Sequence, residues 1–395
     1  MEDKKTIGVF FGSKSPEHDI SIITAQLIIS GLSGLDFNVV PVYINRNGSW
    51  MIDEELGKLK NFTDPKREIE KEKSFQEFYL DLENSNGKMV FKKKGIGGKS
   101  ISIDVAFPAF HGSFGEDGTI QGLFEMMDIP YVGCDVASSA IAMDKALTKQ
   151  IYLANNIPTT KFVYFYKKDW QEKKENIVKE IKETLQWPVF IKPVHLGSSI
   201  GIAKIKEGDV AGLENKIDVA FYYDDKVLVE EGVSDLMDVT CCVIGNADLT
   251  ASLLQESVFQ ADLFDFEEKY LKEGGSQLGK SQSGVIIPAR LDEDLTKNIQ
   301  EMAQKAYKAL GCCGIARVDF LLNKQANKFF ANEVNPLPGT VYHHLWKASG
   351  MELDELLKKL VSLAQAKYEQ KKAISFSFES KILNTLNSKK LNMKK

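Results

Sequence analysis

Two short segments, Arg317-Val318-Asp319 and Glu333-Val334-Asn335, constrain this chain more than any other feature of its sequence. Both alternate polar and apolar residues at the period of a β-strand, which sends successive side chains to opposite faces. Arg317 and Asp319 therefore share one face of a strand over Ile315–Leu322. Glu333 and Asn335 share one face of a strand over Phe329–Asn335, and Val318 and Phe320 point into a core. The link Asn323–Lys328 is short enough for a hairpin, so the four polar groups are expected on one surface. Their donors are oxygens rather than thiolates or imidazoles. Such a set suits a hard cation such as Mg²⁺, which binds through one or two carboxylates together with substrate phosphates. The plainer alternative is a salt-bridged, solvent-facing hairpin. The stiff exit Asn335-Pro336-Leu337-Pro338-Gly339 argues against it.

The rest of the chain supplies a scaffold for that surface. Strands at Ile7–Phe11 and Val39–Ile44 flank a helix over Ile20–Leu32, and a buried strand follows at Val105–Phe110. This alternation predicts a parallel, doubly wound sheet. Residues 45–100 are polar and Lys-rich. They read as a helical excursion and a hairpin, with no chemistry assigned. A smaller α+β lobe follows, with a helix over Lys145–Asn155, a strand at Phe162–Tyr166, a charged helix over Trp170–Leu185, and strands at Val189–Ile191 and Val227–Glu231. Beyond it lie a strand at Val239–Ile244, a long mixed-charge stretch at Asp262–Ile287, a helix spaced by Leu295, Ile299, Met302, Ala303, Ala306 and Leu310, and an amphipathic helix over Leu353–Ala364. A loop as long as 262–287 in a compact domain is usually functional or disordered.

Three further segments admit a chemical reading beside a structural one. Gly197-Ser198-Ser199-Ile200-Gly201 follows a strand carrying Lys192. It is either a plain hairpin turn or a loop whose N–H groups, hydroxyls and nearby lysine hold phosphate. Lys145 is either a surface lysine or a second phosphate contact. Val227–Glu231 is an exposed strand end, or an edge that hydrogen-bonds an adenine while a carboxylate takes a ribose hydroxyl. No G-x-x-x-x-G-K-[ST] loop occurs, and the first turn lacks G-x-G-x-x-G, so a dinucleotide site is not expected. Glu17, at the start of the first helix, either caps that helix or meets a substrate amine.

Composition removes other classes. With 395 residues, Lys+Arg 50 and Asp+Glu 55, the net charge of −5 gives no electrostatic call for nucleic acid. No apolar run reaches the ~18 residues that cross a bilayer. The opening Met1-Glu2-Asp3-Lys4-Lys5 runs straight into a strand, so no signal peptide is expected. The 5 cysteines, four of them in adjacent pairs within apolar runs, read as reduced buried thiols of a cytoplasmic protein.

The motifs taken together resemble the D-alanine–D-alanine ligases of the ATP-grasp superfamily. Those that carry the likeness are Gly12–Ser21 (GSKSPEHDIS), His111–Gly122 (HGSFGEDGTIQG), Ile129–Gly133, Ala142-Met143-Asp144-Lys145, Ile191-Lys192-Pro193 with Gly197–Gly201, Phe264–Tyr270, Ala316–Asp319 and Glu333–Gly339, in family order. The resemblance implies an ATP-grasp fold of mixed α/β and α+β class. A Rossmann-like (pre-ATP-grasp) domain would span 1–136, a central lobe 137–236, a C-terminal lobe 237–375 with the hairpin and a mobile loop at 262–287, and a Lys-rich tail 376–395. It implies that Lys145, Lys192 and Ser199 contact ATP phosphates. Glu230, Glu231, Gly232, Val233 and Asp238 would line the adenine and ribose site. Asp319, Glu333 and Asn335 would hold two Mg²⁺, with Mn²⁺ a substitute. Glu17, buttressed by Ser198 and with His111 nearby, would receive the first amino acid's ammonium. Arg317 and the Gly339 N–H would form an oxyanion site, and Lys269 and Tyr270 would sit on the closing loop. ATP and D-alanine would be the substrates of a cytoplasmic homodimer, with neither nucleic acid nor membrane as partner.

One departure stands out. His344, followed by Leu345, occupies the place where the family carries a Ser that helps hold the second substrate's carboxylate, and Pro336 replaces the usual Thr. The histidine either donates to that carboxylate, as a neutral or charged ring, or selects another nucleophile such as D-lactate, D-serine or a different amino acid. Alternatively, His343-His344 is a helix-start pair packed on Trp346. A nucleotide-binding protein without catalysis is a further reading, and Arg317 argues against it, since mere binding needs no oxyanion donor.

Overall fold

The computed structural model describes residues 4–63, 75, 77–95, 98–258 and 284–380. The chain opens with β1 (Thr6–Gly12), α1 (His18–Ser33) and β2 (Asn38–Ile44), followed by short strands β3 (Trp50–Ile52), β4 (Phe78–Leu80), β5 (Met89–Lys93) and β6 (Ser100–Ile103), then β7 (Val105–Pro108). The first sheet has the order β3-β2-β1-β7, with β1 parallel to both β2 and β7. As in other parallel sheets, its central strand is apolar on both faces. Ile7, Val9, Phe10 and Phe11 are all fully buried.

Among its described residues the 45–100 segment holds two 3₁₀ turns, Glu54–Gly57 and Leu59–Asn61, and residues 64–74 of the expected helical excursion lie outside the described residues. The expected hairpin forms as β5 paired with β6, and β4 adds a third antiparallel strand. Its buried residues Phe78, Met89, Phe91 and Ile103 pack with Phe10 and Phe124. The segment is thus a second layer on the first sheet.

Helices α2 (Thr119–Met126), α3 (Val136–Met143) and α4 (Lys145–Ala154) lead into the second sheet. This sheet comprises β8 (Phe162–Tyr166), β9 (Val189–Pro193), β10 (Ala203–Ile205) and β11 (Lys226–Glu231) in the antiparallel order β10-β9-β11-β8. Helices α5 (Lys167–Thr184) and α6 (Val210–Tyr223) cover one face. Trp170, Ile177, Ile181, Leu213 and Ile217 pack there on Val189, Ile191, Val227 and Val229. The opposite face carries Lys192 and Glu230, offset by one residue from those apolar positions.

The third sheet runs β14-β13-β12-β15-β16, built from β12 (Leu236–Gly245), β13 (Thr250–Ser257), β14 (Val285–Ile286), β15 (Gly314–Asn323) and β16 (Lys328–Asn335). Helix α7 (Glu293–Ala309) closes its apolar face, with Val318, Phe320 and Val334 against Leu295, Ile299 and Ala303. A short helix α8 (His343–Ala348) and the long α9 (Leu353–Lys372) complete the described chain. Helix α9 extends past the expected end at Ala364, and Leu356, Leu357, Leu360 and Val361 enter the same core as Ile7, Ile28 and Leu32. The last helix therefore seals the core of the first sheet. All five cysteines are free and buried. Among the described residues no helix is long and apolar enough to cross a membrane.

The start of β15 passes close to the main chain of Gly133. Gly314, which opens β15, has φ +70, and a Cβ there would lie 2.9 Å from the main-chain N and Cα of Gly133. Gly311 has the same φ of +70 but faces open space. Gly311→Ala is expected to cost only the left-handed backbone term, roughly 1–2 kcal/mol. Gly314→Ala adds a backbone clash and is expected to lower the unfolding midpoint clearly further. Equal midpoints for the two variants in chemical denaturation would contradict the close approach.

Candidate active site

The register of the β15–β16 hairpin places the polar groups. Arg317 pairs with Asn335 and Asp319 with Glu333, and a bulge after Asp319 leaves Asn332 as the extra residue on β16. Bulges re-aim side chains, and Asn332 joins the lining of the cleft between the second and third sheets, accepting a hydrogen bond from Lys192 Nζ at 3.3 Å. Asp319 is the most heavily bonded group. Arg317 donates to it through Nε (2.9 Å) and an Nη (2.6 Å), the Thr240 hydroxyl at 2.8 Å, and Asn335 Nδ2 at 3.1 Å. Burial alone would lower the guanidinium pKa, but the Asp319 charge outweighs it and holds Arg317 firmly protonated. Arg317 also lies 5.2 Å from the ring centroid of Tyr342. The backbone reaches that position through consecutive left-handed residues, Thr340, Val341 and Tyr342, at φ 51, 49 and 51. Two of them are β-branched and the third is bulky, so none has Gly-like freedom and strain is concentrated beside the polar face.

The cleft between the second and third sheets holds about 1000 Å³ of non-protein space, open solvent included. Lys145, Lys192, Ser199, Glu230, Glu231, Gly232, Val233 and Asp238 all line it. Lys145, the first residue of α4, donates to the Leu196 carbonyl at 2.6 Å and lies 3.8 Å from Glu333. Glu230 is not held out toward a ribose. Its carboxylate is buried between two ammonium groups, Lys192 and Lys149, the latter at 2.7 Å, and accepts from Thr160 at 2.7 Å. Burial would raise its pKa, but the two lysines together hold it well below the usual carboxylate range. The exposed end of the strand belongs to Glu231, which accepts from the Gln186 N–H at 2.9 Å.

A smaller pocket adjoins the cleft and shares Gly197, Ser198, Arg317 and Glu333 with it. Glu17, His111, Glu116, Asn335 and Gly339 complete its polar lining. Glu17 is buried and makes no side-chain cap bond to its own helix, so the capping alternative fails. Instead it accepts from the Ser198 hydroxyl, 181 positions away in sequence. Gly112 allows this. At φ +71, a Cβ there would stand 2.6 Å from Glu17 Oε2. His111 is pinned through Nε2 to the Thr24 hydroxyl at 2.8 Å, and burial, with Arg317 nearby, lowers its pKa to about 3, so the ring is neutral. Burial and the Glu17 charge push the Glu116 carboxyl up to about 8, while the Gly112 N–H bonds it at 2.7 Å.

One expected substrate residue needs correction. Leu345 is fully buried in the core under the first sheet and packs there instead of lining a pocket. His344 donates from Nε2 to Gln255 Oε1 at 2.7 Å, and Gln255 in turn donates to the Tyr342 hydroxyl at 3.2 Å. Burial, with His343 and Arg317 close by, brings the His344 pKa to about 4, so the charged-ring option is excluded at neutral pH. Lys269 and Tyr270, with most of the 262–287 loop, lie outside the described residues. The sequence reading also missed Lys149, Thr160, Thr240, Glu116 and Tyr342. Lys149 was discoverable, since it sits one helical turn after Lys145 on α4 and so shares its face. The others were not, because their partners are distant in sequence.

Asp319, Glu333 and Asn335 offer oxygen donors on one face, and Arg317 and Thr240 already orient the Asp319 carboxylate. These residues fit a hard divalent cation shared with a phosphate-bearing substrate.

Comparison with known proteins agrees with this geometry. The family profile described as D-ala D-ala ligase N-terminus matches residues 6–134, and that described as D-ala D-ala ligase C-terminus matches 151–362. The D-alanine–D-alanine ligase of Thermosipho africanus is 38% identical over 378 residues, covering 96% of this chain and 98% of the relative. That of Caldicellulosiruptor bescii is 37% identical over 383 residues, covering 95% and 99%. The solved D-alanine-D-alanine ligase from Coxiella burnetii superposes with a TM-score of 0.77 at 29% identity, over 94% of this chain and 96% of that one. The VanG D-Ala:D-Ser ligase from Enterococcus faecalis gives 0.76 at 33%, over 92% and 100%. The fold is ATP-grasp, and the chain belongs to the D-alanine–D-alanine ligase family.

Proposed function

We propose that this protein is an ATP-dependent ligase that joins two D-alanine molecules into D-alanyl-D-alanine for peptidoglycan precursors. The observation that carries the reading is the shared face of Arg317, Asp319, Glu333 and Asn335, set between a cleft bearing Lys145 and Lys192 and a pocket bearing Glu17. A carboxylate is a poor electrophile, so the first D-alanine must be activated. Its carboxylate oxygen attacks the γ-phosphorus of ATP, ADP leaves, and an acyl phosphate results. Lys145 and Lys192 offset charge on the phosphoryl oxygens. Glu17, braced by Ser198, holds the ammonium of that substrate. The amine of the second D-alanine, having lost a proton, then attacks the carbonyl carbon. The tetrahedral oxyanion is met by Arg317 and the Gly339 N–H, and phosphate departs with the electrons of the broken C–O bond. One such oxyanion donor is worth roughly 2.7–4 kcal/mol.

Divalent metal held by Asp319, Glu333 and Asn335, read here as two Mg²⁺, supplies Lewis-acid neutralisation of the phosphates when bound. The division at 1–136, 137–236 and 237–375 belongs to the same reading, supported by the sheets, each of which lies within one range except for Leu236, the first residue of β12. So do a homodimeric state, a cytoplasmic setting, and closure by the segment bearing Lys269 and Tyr270, all on family resemblance.

Purified protein with ATP, Mg²⁺ and D-alanine is expected to release phosphate in step with a dipeptide of two alanines detected by mass spectrometry. Phosphate release without D-alanine, or none with it, would refute the ligase reading. In a panel with D-serine and D-lactate, D-alanine is expected to dominate as second substrate. Asp319→Ala and Glu333→Ala are each expected to lower kcat on the order of 10²–10³-fold with an unchanged far-ultraviolet circular dichroism spectrum, and near-normal turnover in either would remove it from the metal set. His344→Ser is expected to shift the ratio of dipeptide to D-lactate ester. A ratio identical to the unmodified enzyme's would take His344 away from the second substrate.

A further inference from the structure

The lysine helix α4 and the Gly/Ser loop 196–201 are joined at their roots by a four-residue charge cluster that the reaction does not use directly. His195 sits where β9 turns into the loop. Its main-chain N–H donates to Asp224 Oδ2 at 2.6 Å and its ring Nδ1 to Asp224 Oδ1 at 2.9 Å. Ring Nε2 lies 3.4 Å from Asp144 Oδ2, and Lys226 Nζ donates to that same oxygen at 2.7 Å. Asp144 is also the N-cap of α4, accepting from the Leu147 N–H at 2.8 Å. The next residue along each branch is a group facing the cleft. Lys145 follows Asp144, Leu196 follows His195, and the Lys145 ammonium donates to the Leu196 carbonyl at 2.6 Å. Three residues after His195, Ser198 reaches Glu17.

The cluster balances only if the imidazole is charged. Asp144 and Asp224 contribute two negative charges and Lys226 one positive. Tyr164 and Tyr166 on β8 face the Lys226 ammonium at 4.9 and 5.6 Å, and Asp225 presents a further exposed carboxylate. An imidazolium donates from Nδ1 to Asp224 and turns its second N–H toward Asp144 at ion-pair distance. A neutral ring has one N–H, so one lone pair would face a carboxylate oxygen. The facing carboxylates of Asp144 and then Asp224 outweigh the partial burial of the ring and raise its pKa to about 9.

We propose that His195 is a positioning residue for the nucleotide: as an imidazolium it fastens the root of the 196–201 loop to the Lys145 helix, and loss of its proton loosens that junction and weakens nucleotide binding. This rests on reading the cleft as the ATP site. The folded-state pKa lies above the ordinary 6.5, so the clamp is complete below about pH 6.5 and is lost as pH rises through about 9. The ring keeps 42% of its surface, and solvent screening keeps the effect modest.

The test is calorimetric titration of the intact protein with ADP and Mg²⁺ at pH 7 and pH 9.8, beside KM for ATP and kcat, for the unmodified chain, His195→Asn and His195→Arg. The unmodified protein should bind ADP roughly threefold to tenfold more weakly at the higher pH. His195→Asn should bind weakly at both pH values, and His195→Arg, a permanent cation, should lose most of the pH dependence. KM for ATP should follow Kd while kcat changes less. If His195→Asn binds ADP as the unmodified protein does, with the same pH dependence, the proposal is overturned and the ligase reading stands. If the unmodified protein does not bind ADP at all, both fall.

Discussion

The pairing register of β15 with β16 is the constraint on which the site depends. Side chains alternate along a strand, so a slip of one residue would turn Val318, Phe320 and Val334 toward the cleft and push Arg317 and Asp319 into apolar surroundings. The α7 side prevents this, because those three apolar residues are buried against Leu295, Ile299 and Ala303. Full burial of a Val or Phe side chain is worth about 1.5–3 kcal/mol, so several together make the wrong register untenable. The same core that stabilises the lobe therefore holds the functional face in place. At the one point where register is broken, the extra residue is Asn332, which then meets Lys192 across the cleft.

A second constraint is that so many charges are buried. Taking ions out of water costs several kcal/mol each unless they are paired and hydrogen-bonded. Each charge here has an answer close by. Glu230 sits between Lys149 and Lys192, Arg317 grips Asp319, and Asp144 is shared by Lys226 and His195. Lys149 is almost wholly enclosed, so its role is to hold Glu230 while leaving Lys192 at the edge of the cleft. The cost of gathering these cations beside the cleft is thereby met within the fold.

How much of this was legible in sequence varies with the range of the interaction. The hairpin was, because a period of two over Arg317–Asp319 and Glu333–Asn335 is a local signal and burial of one face follows from it. Helix α7 was legible for the same reason. The strand Thr250–Ser257 went unseen, since its buried residues include Gln255 and Glu256, whose partners Tyr342 and Arg290 lie far along the chain. Glu230 lines the cleft, but its partners were not legible, because Lys149 and Thr160 reach it only once α4 and β11 have packed together. Leu345 failed in the opposite sense. A leucine beside a motif carries no sign of which way it points, and here it faces the core.

The position of Glu17 shows why no single lobe suffices. Its carboxylate comes from the N-terminal helix, the hydroxyl that binds it from the loop after β9, and the guanidinium and the Gly339 main chain beyond it from the C-terminal hairpin. Such a meeting point tolerates little bulk, and two glycines mark it. A Cβ on Gly112 would stand 2.6 Å from Glu17 Oε2, and one on Gly197 would stand 3.1 Å from the same oxygen. The pocket around Glu17 exists only where the first helix, the loop after β9 and the C-terminal hairpin converge. On the ligase reading, an acyl phosphate must be kept from water between its formation and its capture, and a pocket drawn from three such elements would serve that need. The chemistry thus depends on packing between lobes as much as on the side chains that each one carries.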